Sequence, residues 1–144
     1  MFKISIVIVA FCLWAVCCFV EVKAIPKDSD NEPDFPELMK ICNASFSIPI
    51  SDVENFHNTG ELPDTSDKTG MCYIRCMWEK SGLINNWVLN ADLIRSHIWP
   101  ATGDALDVCA NTGIDEQNAC VRTYMIARCL MMRSIVDAQN KPTV

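Results

Sequence analysis

Residues 70–82 read GMCYIRCMWEKSG, and the spacing of Cys72 and Cys76 in that stretch decides the fold. Four residues apart on a helix, they point the same way, one turn from each other. Bonding to each other would break the helix, so each goes to a different partner element. Gly82 is placed to stop this helix. Further on, Cys120 and Cys129 lie nine apart, about two and a half helical turns. On one helix they face opposite sides and tie it to neighbours on both flanks.

The first 24 residues stand apart from the rest. Lys3 gives a basic start, Ile4 to Val20 is apolar except for Ser5, and Val22 and Ala24 occupy the small-residue places of a cleavage site. Residues 1–24 are therefore expected to be a secretory signal peptide, cut after Ala24. A signal anchor is the competing reading, since the run is near the lower limit for a membrane span. Residues 25–144 are then the mature, secreted, extracellular domain. The chain has 144 residues, 9 Cys and a formal charge of −6. Removing Lys3, Lys23 and Glu21 leaves 10 basic against 17 acidic groups. Such an acidic chain does not favour a phosphate backbone, so no nucleic-acid partner is expected.

Cys12, Cys17 and Cys18 go with the signal. Cys42, Cys72, Cys76, Cys109, Cys120 and Cys129 remain, an even number that implies three disulfides in a secreted chain. Spacing alone leaves all 15 connectivities open. A zinc site would want close ligand pairs, but His57 and His97 sit alone, so no metal is expected.

The rest reads as all-α. Asp34 to Glu37 resembles a capping box for a helix to about Phe46, and Ser51 to Glu54 a second for a helix to about Asn58. Asp67 is expected to cap a third helix to about Lys80, and Asn90 a fourth over 91–97. Residues 101–111 suit a fifth. A sixth should start near Asp115 and Glu116 and run to about Asp137. No strand alternation is visible. The sixth helix is apolar on most sides. Val121, Tyr124, Met125, Met132, Ile135 and Val136 share one broad face, and Ile126 and Leu130 form a second patch. Arg128 lies inside the broad face. It either snorkels out or meets an acid, or it offers a donor to a ligand.

Several bulky side chains are candidates for the wall of an apolar pocket. Met is the adaptable filler of such walls, and Met39, Met71, Met77, Met125, Met131 and Met132 are available. Ile74, Met77 and Trp78 lie on the side of the third helix away from its cysteines, with Leu83 just beyond. Leu93, Ile94, Ile98 and Trp99 extend the wall from the fourth helix and its end, Val108 from the fifth, and Val121 and Met132 from the sixth. Trp87 adds another flat surface. Tyr124 and Arg128 would supply the polar contacts that orient a ligand. For each residue, filling a core is the competing reading. His97, beside Ile98 and Trp99, is the candidate for sensing acid near pH 6–7.

The spacing Cys42-x29-Cys72-x3-Cys76-x32-Cys109-x10-Cys120-x8-Cys129 resembles the six-cysteine pattern of insect odorant-binding proteins, the pheromone-binding and general odorant-binding family. The x3 and x8 intervals are its most specific parts. Cys76 to Ile84 is similar to the family's segment after the third cysteine, and Tyr124 through Arg128-Cys129 to its Tyr, base and last cysteine. The chain departs from the family in the shorter Cys76 to Cys109 interval and at Asn85-Asn86-Trp87. The resemblance implies Cys42–Cys76, Cys72–Cys120 and Cys109–Cys129 pairing. It also implies a compact bundle of about six short helices, its three disulfides interlocked around an apolar cavity. The implied function is a carrier of odorants or pheromones through aqueous fluid to a membrane chemoreceptor, with no cofactor, as a monomer or weak homodimer. The alternative is a non-olfactory carrier of lipids or amines in saliva, venom or reproductive fluid.

Catalysis is not expected. There is no Gly-x-Ser-x-Gly elbow and no phosphate loop. With all six mature cysteines bridged, no thiol nucleophile remains. Asn43-Ala44-Ser45 is an N-glycosylation sequon in a chain expected to be secreted, placed beside Cys42 within the expected first helix, where crowding works against occupancy.

Overall fold

The computed structural model describes residues 32–98 and 103–140. The expected signal peptide and Trp99 lie outside the described residues. Among those described there are six α-helices and one two-stranded ribbon: α1 (Phe35–Ser45), α2 (Ile50–Thr59), α3 (Thr69–Lys80), β1 (Ile84–Asn85), β2 (Val88–Leu89), α4 (Ala91–His97), α5 (Ala105–Ala110) and α6 (Ala119–Gln139). None of these helices is long and apolar enough to cross a membrane.

Local chemistry sets most of the boundaries. Asp34 Oδ1 accepts from the Glu37 N–H at 3.1 Å, with Pro in the first turn where its missing donor costs nothing. Asn90 Oδ1 accepts from Leu93 N at 3.2 Å and so caps α4. Asp67 was expected to cap α3, but Lys68 holds that place without a side-chain bond; Asp67 Oδ1 accepts from Thr69 N and Oγ1 just before the helix. Two other expected starts are corrected. Ser51 does not cap α2. Pro49, with φ already at −58°, precedes the first helical residue, and Ser51 Oγ donates to Asp52 instead. α6 begins after Asn118, which takes Val121 N at 3.1 Å, because Glu116 turns back to accept from Asn118 N at 2.7 Å.

The ribbon is a further correction, since no strand was expected. Ile84 pairs with Leu89 and Asn85 with Val88, antiparallel, around Asn86 (φ 50°) and Trp87 (φ 62°). Positive φ at both turn residues is the type I′ geometry of a two-residue hairpin. Asn tolerates that region, whereas Trp does not favour it. Trp87 is held by the Arg122 guanidinium, 4.4 Å above its ring.

α3 and α6 form the central pair, with α1 packed on α3, and α2 and α5 on α6. The disulfides are Cys42–Cys76, Cys72–Cys120 and Cys109–Cys129, as the resemblance implied. They join α1 to α3, α3 to α6 and α5 to α6. Cys72 and Cys76 diverge, and α6 is held from both sides. Each closes a loop of tens of residues, worth about 3–4 kcal/mol in the chain-entropy account.

The buried face of α6 keeps the expected Tyr124, Ile126 and Leu130 but is otherwise redrawn. Thr123, Tyr124, Ile126, Ala127, Leu130, Met131 and Ser134 are buried, while Met132 and Val136 are exposed. Small residues on this stripe let neighbouring helices approach closely, which ranking by hydrophobicity alone misses.

Candidate ligand-binding site

A cavity of about 570 Å³ opens between α1, α2, α3 and the end of α4, with α6 contributing Met131. That is within the roughly 300–1,000 Å³ usual for small-molecule sites. α3 builds one wall: Tyr73, Ile74, Met77 and Trp78 share a face because they stand at helical spacing. Ser81 and Leu83 continue it past the helix end. Phe35 and Met39, four apart on α1, form a second wall, and Ile50, Val53 and Phe56 on α2 a third. Ile98 and Met131 close the far side. Exposed Ile50, Glu54, His57 and Asn58 put the mouth along α2. His97 stands at the rim, edge-on to Phe35 at 5.2 Å.

The interior is apolar with few polar groups. Ser81 Oγ donates to the Trp78 carbonyl at 3.2 Å and is satisfied. Tyr73 is 1% exposed, and burial pushes its phenol above the ordinary value. A wider groove of about 990 Å³ lies along the hairpin, but Glu79, Asn85, Asn86 and Asn90 line it. Its lining mixes Ile84, Val88 and Leu89 with these polar groups, so it desolvates an apolar molecule less completely than the first cavity. No group of three His, Cys, Asp or Glu able to hold a metal occurs among the described residues.

The PBP/GOBP family profile matches residues 26–133. The chain belongs to this family. It is 50% identical over 120 residues to general odorant-binding protein 84a of Drosophila melanogaster, covering 83% of this chain and 68% of that protein. No solved structure matches it.

Within this PBP/GOBP chain the wall candidates divide. Ile74, Met77, Trp78, Leu83 and Ile98 line the cavity. The others are placed elsewhere, each for a visible reason. Trp87 lies under Arg122. Ile94 is buried in the helical core, and Leu93 packs beneath Gly82. Val108 and Met132 are exposed, Met132 against Gly60. Val121 packs half-buried on the core, and Met125 lies under Gly113. Tyr124 and Arg128 are a structural clamp. The Tyr124 hydroxyl accepts from Leu62 N at 3.2 Å, and Arg128 Nε and Nη2 donate to Glu61 Oε1. Hydrogen bonding to the Glu61 carboxylate holds the Arg128 guanidinium above its ordinary value. One turn apart on α6, the two residues hold down the segment after α2. Gly60, with φ 76°, lets that segment lie against α6: a Cβ there would come within 2.8 Å of Met132 Cγ.

Of the α1 and α2 walls, only Met39 was among the expected candidates. Their signal was present as the pair Phe35 and Met39 and the series Ile50, Val53 and Phe56. Both helices are short and mostly polar, so these residues carry less weight in the sequence than the apolar α6.

Proposed function

We propose that this protein is a secreted, non-catalytic carrier that takes odorants and similar small apolar molecules into the cavity and moves them through aqueous fluid to a membrane chemoreceptor. The observation that carries this reading is the 570 Å³ apolar cavity in a helical frame cross-braced by three disulfides. A small domain with an uncollapsed apolar interior gives up packing energy, and covalent bracing offsets that loss. Adaptable Met39, Met77 and Met131 in the walls suit several ligand shapes. The relative's name refers to odorants, which favours the olfactory reading over other body fluids.

The residues proposed to touch ligand are Ile74, Met77, Trp78, Leu83 and Ile98, with Phe35, Met39, Val53, Phe56 and Met131. The test is titration of N-phenylnaphthylamine into the oxidised, secreted protein. Saturable emission at one site per chain, reversed by volatile competitors, is the expected result. Emission that rises without saturating would refute the carrier reading.

A further inference from the structure

Tyr73 is 1% exposed and lines the cavity on α3. Its hydroxyl has no hydrogen-bond partner among the described residues. The side-chain polar atoms sealed from solvent without a partner are Arg122 Nε and Thr123 Oγ1, and the Tyr73 oxygen is not one of them. The small surface Tyr73 retains therefore includes its hydroxyl, and the space beside this residue is the cavity. The other wall hydroxyl, Ser81 Oγ, already donates to Trp78. Glu54, His57 and Asn58 are exposed at the mouth, where water satisfies them. With no protein partner, this hydroxyl is left to whatever occupies the cavity, whereas Phe would fill the same volume and offer no donor.

Resting on the carrier reading above, we infer that the ligand bears a hydrogen-bonding oxygen, a carbonyl or hydroxyl on an otherwise apolar skeleton, and that Tyr73 Oη donates to it deep in the cavity. The apolar walls bind the skeleton. The phenol sets polarity and orientation, because an alkane leaves it unpaired whereas a ketone, aldehyde, ester or alcohol does not.

The test compares undecanone with undecane as competitors of N-phenylnaphthylamine, in wild type, Tyr73→Phe and Tyr124→Phe. In wild type the ketone is expected to bind about fivefold more tightly than the alkane, the share of one neutral hydrogen bond. Tyr73→Phe should abolish that preference, with a native far-UV circular dichroism spectrum and cooperative melting showing that the variant is folded. Tyr124→Phe, whose hydroxyl serves Leu62, should keep the preference. A preference that survives in Tyr73→Phe, or none in wild type, overturns the assignment while the carrier reading stands. Absence of saturable uptake of probe and both competitors overturns the carrier reading, and this assignment with it.

Discussion

Removing the same carbon atoms from two isoleucines separates cavity wall from closed core. Ile74 is 3% exposed on α3 and faces the cavity; Ile126 is 0% exposed on α6 and lines no part of it. Ile→Ala deletes three carbons, about 2.4 kcal/mol of transfer free energy at roughly 0.8 kcal/mol per carbon. At Ile126 the void is enclosed on every side, so a cavity cost adds, and the total should reach about 4 kcal/mol. At Ile74 the new space merges with one that already exists. The deleted atoms also had fewer partners on that side. Ile74→Ala should therefore cost about 2 kcal/mol. Ligand affinity should respond in the opposite order. Ile74→Ala removes a wall contact worth about 1 kcal/mol, or fivefold in Kd, and Ile126→Ala removes none. Urea unfolding followed by Trp fluorescence with the disulfides intact gives the first quantity, and probe titration the second. Equal stability costs, or weakened binding in Ile126→Ala alone, would refute the distinction between wall and core.

Gly60→Ala should lower stability by about 2–3 kcal/mol. It places a side chain at φ 76° with Cβ 3.2 Å from the Met132 backbone nitrogen, which cannot move aside; an unchanged melting temperature would contradict this. Tyr73 has a raised pKa through burial, so the neutral phenol favours the folded state. Its contribution is complete below about pH 10, the ordinary phenol value, and is lost as pH rises through the folded value. Wild type should lose stability relative to Tyr73→Phe in alkaline solution, and parallel profiles would count against it. Asn43 is exposed and accepts from Ile48 N through Oδ1, which leaves Nδ2, the atom that takes a glycan, unengaged. Protein secreted from insect cells should lose a glycan's mass on enzymatic deglycosylation, and an unmodified intact mass would contradict that expectation.

Features set by local chemistry were legible in the sequence. The i, i+4 spacing of Cys72 and Cys76 required divergent bridges, and Asn90 and Asp34 act where their side chains reach the first helical turns. The α3 wall was legible because its cysteines, once committed elsewhere, fix which face is left. The role of Tyr124 and Arg128 was not. Whether an Arg on an apolar face meets ligand or acid depends on Glu61, which is distant in sequence. Asn86 and Trp87 form a hairpin turn because Arg122, a residue of α6, covers the indole. Such pairings are set by tertiary contact and leave no periodic trace. The hollow was legible in the Met, Trp and aliphatic residues only as one of two readings, since a helical stripe that lines a cavity reads like one that fills a core; the family resemblance decided between them.

Guest molecules are proposed to sit among the side chains of α1, α2 and α3. Methyl-resolved NMR of the oxidised protein titrated with undecanone tests it most directly. Saturable shifts at Ile74, Leu83 and Ile98, with Val108 and Val136 on the outer surface unmoved, are the predicted result. Shifts confined to the outer methyls, or none that saturate, would contradict it.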